Sequence, residues 1–287
     1  MRSAGVCLAL LVMIAPCPCL GQAAEQRPSA IDSADRLFQI GEFAQAGEQS
    51  ARIAADAPDN YSAILQLGRI ALLSNHLDDA KSWLERAIAL RPGDTDPKVM
   101  LAEVYYRRDD FEKAAASLNG VDVGANRLII SQYPTLNVAK LRSFQGQTPY
   151  EVQGDGQSTR LRLLRTDPLP LVSVRVNGGD EVTFFIDTGG SEVALDSEFA
   201  RELGVPQFGA VQGTFSGGQH AEVQQGRIET LTVGDWTVRN LPVAMLPLRQ
   251  LSQSLMFGFH LAGMVGHDFF KPYAVTFDFE NMKMFLQ

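Results

Sequence analysis

The chain has 287 residues and a formal net charge of −8, with 33 acidic against 25 lysine and arginine side chains. An acidic chain without basic clusters excludes the usual electrostatics of nucleic-acid or anionic-lipid binding. The length suits two domains, each able to bury a core.

The first stretch reads as targeting rather than fold. Arg2 is followed by an apolar run from Val6 to Ile14, and Gly21-Gln22-Ala23 offers small residues for cleavage. This pattern predicts a secretory signal peptide over residues 1–23. The apolar run is too short for a comfortable bilayer span, so no integral membrane span is expected in the mature chain. Cys7, Cys17 and Cys19 all lie in this segment. The mature chain then has no disulfide and no thiolate metal site. Export without cysteines suits a bacterial periplasm, or secretion.

Residues 31–125 are rich in alanine and leucine and repeat with a period of 34. Ala46, Ala80 and Ala114 share that spacing, as do Pro58 and Pro92. In the middle unit Gly68 and Ala80 are small where two helices of a hairpin must cross closely, and Pro92 stops the second helix. These offsets resemble a tetratricopeptide-repeat array of about three units. The resemblance implies a concave surface for a partner protein or an extended peptide. Tyr105, Tyr106, Arg107 and Arg108 read as half core and half solvated face. Residues 126–158 are mixed in character and are expected to link two domains, with turn signals at Gly146-Gln147-Thr148-Pro149 and Gly154-Asp155-Gly156.

Residues 159–287 change to short strands separated by glycine turns. Strands are expected at Leu161–Leu164, Leu171–Val176, Glu181–Ile186, Arg227–Val233, Trp236–Leu246, Ala274–Phe279 and Lys283–Leu286, and a short helix over Ser197–Leu203. The strand ending in Phe184-Phe185-Ile186 delivers Asp187, and Thr188, Gly189 and Gly190 follow at once. A carboxylate at the tip of a buried strand needs hydrogen bonds, which the threonine hydroxyl and the glycine amides can supply.

About 75 residues later comes Met264-Val265-Gly266-His267-Asp268-Phe269-Phe270. Together the two motifs resemble the retropepsin-like aspartic proteases, where a hydrophobic-hydrophobic-glycine strand passes beside the Asp-Thr-Gly loop. Met264, Val265 and Gly266 match that strand, with Gly266 allowing the close crossing. The resemblance implies an α+β two-domain chain: an N-terminal α-helical repeat array and a C-terminal all-β retropepsin-like barrel. It makes Asp187 the catalytic residue, Thr188, Gly189 and Gly190 its loop, and Phe215-Ser216-Gly217-Gly218 the tip of a flap over bound peptide. One departure is Gly190, where the family usually carries alanine or serine.

A single Asp-Thr-Gly copy cannot form a dyad, so the resemblance implies a homodimer acting on a protein or peptide substrate, with no cofactor. His220, His260 and His267 lack metal-ligand spacing, and no metal is expected. Asp196, Asp268 and Asp278 lack the Asp-Thr/Ser-Gly context, and Asp268 is expected to cap local amides. Two functions follow. One is a periplasmic aspartic endopeptidase whose repeats recruit a substrate or regulator. The other is a non-catalytic interaction protein in which the β domain dimerises or holds peptide.

Overall fold

The computed structural model describes residues 29–153, 159–215, 219–249 and 260–287. The expected signal peptide lies outside them. Six helices come first: α1 (Ala30–Gln39), α2 (Phe43–Asp56), α3 (Tyr61–Leu73), α4 (Leu77–Leu90), α5 (Asp96–Arg107) and α6 (Phe111–Ser117). They pair as three hairpins stacked in chain order. Caps fix several starts. Ser29 and Asp32 form a reciprocal capping box at α1, Asn60 accepts from the Ala63 amide at α3, and Asp110 accepts from the Lys113 amide at α6.

The repeat seen in the sequence is a packing repeat. Ala46, Ala80 and Ala114 are all fully buried. A Cβ at Gly68 would lie 2.9 Å from Leu84 Cδ2, so the helices of the middle hairpin meet at van der Waals distance. The hairpin turns repeat too. Gly41, Asn75 and Asp109 each take a left-handed φ, of 86°, 58° and 58°. Glycine, asparagine and aspartate tolerate that region best.

The stretch 126–153 is a packed part of the structure. It holds α7 (Arg127–Ser131) and α8 (Val138–Arg142), both capped by asparagine side chains. It buries Ile129, Tyr133, Leu136, Leu141, Phe144 and Tyr150. It ends in β1 (Glu151–Gln153).

The β half contains β2 (Thr159–Arg162), β3 (Leu171–Val176), β4 (Glu181–Ile186), β5 (Val193–Asp196), α9 (Ser197–Glu202), β6 (Gln207–Phe215), β7 (Gln219–Val233) and β8 (Trp236–Leu246). It continues with β9 (Gly263–Val265), α10 (His267–Phe270), β10 (Val275–Asp278) and β11 (Lys283–Leu286). Six strands close on themselves. β4 lies between β3 and β9, β9 pairs β5, β5 pairs β8, β8 pairs β7, and β7 returns to β3. The β4–β9 and β5–β8 pairs are parallel and the rest antiparallel. Closure removes edges from the barrel. β1 joins β8, and β6 extends the sheet as the hairpin partner of β7. β2, β11 and β10 form a separate antiparallel sheet. β7 starts at Gln219, eight residues before the strand expected at Arg227, because β6 pairs with its leading part.

One apolar core runs through both halves. Leu84, Val99, Val104 and Phe111 of the helices, Leu136 and Leu141 of the connecting stretch, and Phe184, Leu195, Val243 and Val265 of the barrel belong to a single packed cluster. A smaller cluster of Ala54, Tyr61, Ala63, Ile64 and Ala87 lies within the array. Among the described residues no helix is long and apolar enough to cross a membrane.

Candidate active site

β4 delivers Asp187 at its end because it is locked on both sides. Phe184, Phe185 and Ile186 pair with Gly263, Met264 and Val265 on one side, and Phe184 and Phe185 with Val172 and Leu171 on the other. Phe184 is fully buried under the strand. The Asp187 amide donates to Val265 O at 3.1 Å, which extends the parallel ladder by one bond. The chain then turns. The Gly189 amide donates to Asp187 Oδ1 at 2.9 Å, and the Gly190 amide to Asp187 O at 3.1 Å. The aspartate is half-buried and Thr188 is exposed. The carboxylate is thus held by one backbone amide, and its loop by a second, at the tip of a paired strand, while still reachable.

The two motifs meet as the spacing required. Gly266 follows β9 and sits against the far end of the Asp187 loop. A Cβ there would fall onto the carbonyl oxygens of Ser191 and Glu192. The Asp268 amide donates to Ser191 O at 2.9 Å, and the His267 amide to Gly190 O at 2.8 Å. His267 Nδ1 also lies 2.8 Å from Gly190 O, and because a carbonyl only accepts, Nδ1 carries the proton. The loop 187–192 is therefore stitched to the β9–α10 junction along its length.

Gly190 has a local explanation. A Cβ at this position would lie 2.5 Å from Met264 Cε. The methionine methyl occupies the space that an alanine or serine would take. The loop is filled by its neighbour rather than left slack.

Asp268 differs from expectation. Its carboxylate faces Lys271 Nζ at 3.5 Å and His267 Nε2 at 3.6 Å instead of capping amides. Burial pushes its carboxyl up, against the opposing pull of Lys271. Asp196 is structural: it caps α9 through the amides of Glu198 and Phe199, and it pairs with Arg249 at 3.0 Å. Asp278 holds the β10–β11 turn through Asn281.

The β6–β7 hairpin occupies the place of the expected flap, with pairing carried up to Phe215 opposite Gln219. Ser216, Gly217 and Gly218 lie outside the described residues. Among the described residues no three histidine, cysteine, aspartate or glutamate side chains gather as a metal site.

Sequence reasoning missed the polar support behind the loop. Glu192 is buried at 3 % exposure, and Lys140 of α8 reaches its Oε1 at 2.5 Å. Lys140 also donates to Gln225 Oε1 on β7 at 2.5 Å, and Tyr106 of α5 donates its hydroxyl proton to the same Glu192 oxygen. Burial pulls the Lys140 ammonium below its usual range, against the opposing effect of Glu192, and pushes the Tyr106 hydroxyl well up. Removing one partner of such a buried pair costs about 3–5 kcal/mol. The only signal in the sequence is a glutamate set before the apolar run Val193-Ala194-Leu195, which names no partner.

A family model described as aspartyl protease matches residues 172–261, from β3 to just before β9. No curated protein matches the chain. Among solved structures, a retropepsin-like aspartic protease from Rickettsia conorii is 15% identical over 48% of this chain and 93% of its own, with a TM-score of 0.33. A Thermobaculum terrenum O-GlcNAc transferase mutant is 26% identical over 31% of this chain, with a TM-score of 0.31, and the match spans 17% of that protein. The Yersinia enterocolitica type III secretion translocator chaperone SycD is 11% identical over 41% of this chain and 84% of its own, with a TM-score of 0.37. The matched residues carry the Asp187 loop. Over residues 172–261 the barrel is thus similar to the aspartyl protease family.

Proposed function

We propose that this chain is an aspartic endopeptidase that works as a homodimer in the bacterial periplasm or outside the cell. The observation that carries the reading is Asp187: half-buried, hydrogen-bonded to the Gly189 amide, and fixed by the crossing of Gly266 behind its loop. Two such carboxylates facing each other across a two-fold axis share one proton. The ionised aspartate takes a proton from water as the oxygen attacks the peptide carbonyl. The protonated aspartate gives its proton to the carbonyl oxygen. In the second step the aspartate that took the water proton gives it to the departing nitrogen, while the other takes a proton from a hydroxyl of the tetrahedral intermediate, so the C–N bond breaks, the carboxylic acid forms and the pair again shares one proton. No covalent enzyme intermediate and no cofactor is involved. The β6–β7 hairpin closes over the peptide, and the helical array recruits a protein substrate or regulator.

The test is cleavage of a mixed peptide library by the full chain against Asp187→Asn. Asparagine keeps the size of the side chain and an oxygen for the Gly189 amide, so the variant folds. Turnover is expected to fall by at least about a thousandfold, as for loss of a central acid–base group. Retained cleavage by a folded Asp187→Asn protein removes this mechanism. Absence of cleavage by the wild type favours the binding-module reading, in which the barrel only dimerises or holds peptide.

A further inference from the structure

The proposed peptide hydrolysis makes no direct use of the polar cluster behind the Asp187 loop. Lys140 is fully buried, with one ammonium between two acceptors on different elements. Glu192 closes the loop that begins at Asp187, and its carbonyl packs on Gly266. Gln225 lies on β7, the returning strand of the flap hairpin, one residue from the Gln224–Ala210 pair. Lys140 itself stands on neither element but on α8, whose start is fixed by the Asn137 cap. Asn137 Nδ2 also donates to Phe208 O on β6 at 3.1 Å, so the same short helix grips both strands of the hairpin stem.

This cluster is an expensive way to fill a core. An ammonium without solvent contact loses its hydration, and an apolar side chain of similar volume fills such a place at less cost. Glu192 Oε2 is buried and finds no hydrogen-bond partner among the described residues, so even the satisfied pair is incomplete. Polar groups that cost stability in this way are retained where geometry matters more than stability.

We propose that Lys140 is a positioning residue of the aspartyl site. Holding Glu192 and Gln225 together, it sets the Asp187 loop at a fixed height relative to the stem of the flap hairpin. The helical half is thereby part of the scaffold of the active site, and α8 is the joint. The proposal rests on the protease reading for its catalytic consequence, but not for its structural one.

The test uses the full chain and three variants. Lys140→Met leaves Glu192 buried without its cation and with only the Tyr106 hydroxyl donating to it, and is the destabilised control. Lys140→Met with Glu192→Gln removes both charges. Gln225→Met leaves the ion pair in place and removes only its link to the hairpin. Each is followed by thermal unfolding, by kcat and KM on a short library peptide, and by hydrogen exchange at the amides of residues 187–192. The charge-balanced double variant is expected to unfold within a few degrees of wild type. Its kcat is expected to fall by about tenfold to a hundredfold while KM stays within about threefold, the signature of misplaced catalytic groups. Exchange at Gly189 to Ser191 is expected to rise by at least about tenfold. Gln225→Met is expected to lower kcat in the same direction, which keeps the test open where the double variant unfolds. Wild-type exchange and kcat in both the double variant and Gln225→Met overturn the proposal. If the wild type itself cleaves nothing, the protease reading fails, and the exchange data alone decide whether Lys140 holds the loop.

Discussion

Two glycines of the site make opposite predictions, although both look alike in the sequence. Gly266 has a φ of −83°, which any residue adopts, so its requirement is space alone. The atoms in its way are the carbonyl oxygens of Ser191 and Glu192, part of a backbone fixed by the Asp268 amide. Gly190 is blocked by the end of a methionine side chain, which can rotate away. Gly266→Ala is expected to cost about 3 kcal/mol or more, with loss of any activity, and Gly190→Ala less than about 1.5 kcal/mol. Chemical denaturation of the two variants side by side checks this. Equal costs would show that the backbone at the Gly266 crossing moves aside as readily as the methionine. The Asp187 loop and its glycine crossing were legible because both are local: each motif is a few adjacent residues whose chemistry dictates the turn or the approach. Lys140 and Glu192 were not legible, because they stand 52 positions apart and neither sits in a pattern that names the other.

At the scale of elements, α5 shows where periodicity stops being informative. A surface helix has one apolar stripe, whereas α5 buries Pro97, Val99, Met100, Leu101, Ala102, Glu103, Val104 and Tyr106 between the array and the barrel. Tyr106 is core, and Arg108 pairs with Asp78 on α4, so the expected half-and-half division of this run holds for those two residues. α7 and α8 have five residues each, too short to carry a helical period, and they form because packing and asparagine caps hold them. Burial also gives α5 a pH signature. Desolvation pushes the Glu103 carboxyl from an ordinary 4.5 up to about 7, even with Arg107 Nε at 2.7 Å pulling it down. Between those values the folded chain binds more protons than the unfolded one. Stability from this group is therefore present at low pH and is lost as pH rises from about 4.5 to about 7, by about 3 kcal/mol in all. Glu103→Gln keeps an oxygen for Arg107 and cannot ionise. Urea unfolding at pH 5 and pH 7.5 is expected to show a smaller fall with pH for the variant than for the wild type. An identical fall in both would mean that Glu103 stays ionised throughout.

At the scale of the whole molecule, the shared core changes what the two halves are to each other. An array joined by a free linker could be moved or removed without touching the barrel. In this chain Leu136, Leu141 and Phe144 belong to the same cluster as Val243 and Val265. Lys271 of the barrel pairs with Asp109, the turn residue of the third hairpin, at 3.1 Å. A partner gripped by the array would therefore pull on the scaffold of the site itself. What one chain lacks is a second carboxylate in an Asp-Thr-Gly setting, so the proposed reaction needs two copies. This makes subunit mixing a decisive experiment. At a fixed wild-type concentration, an equal amount of Asp187→Asn leaves about half of the wild-type subunits facing an asparagine after random exchange, and a ninefold excess leaves about nine-tenths of them so. The cleavage rate is expected to fall to about half and about a tenth, with the mixed dimers counted by native mass spectrometry. A rate that follows the wild-type concentration alone, in samples where mixed dimers have formed, would mean that one Asp187 suffices. The shared proton, and with it the two-fold site, would then be wrong.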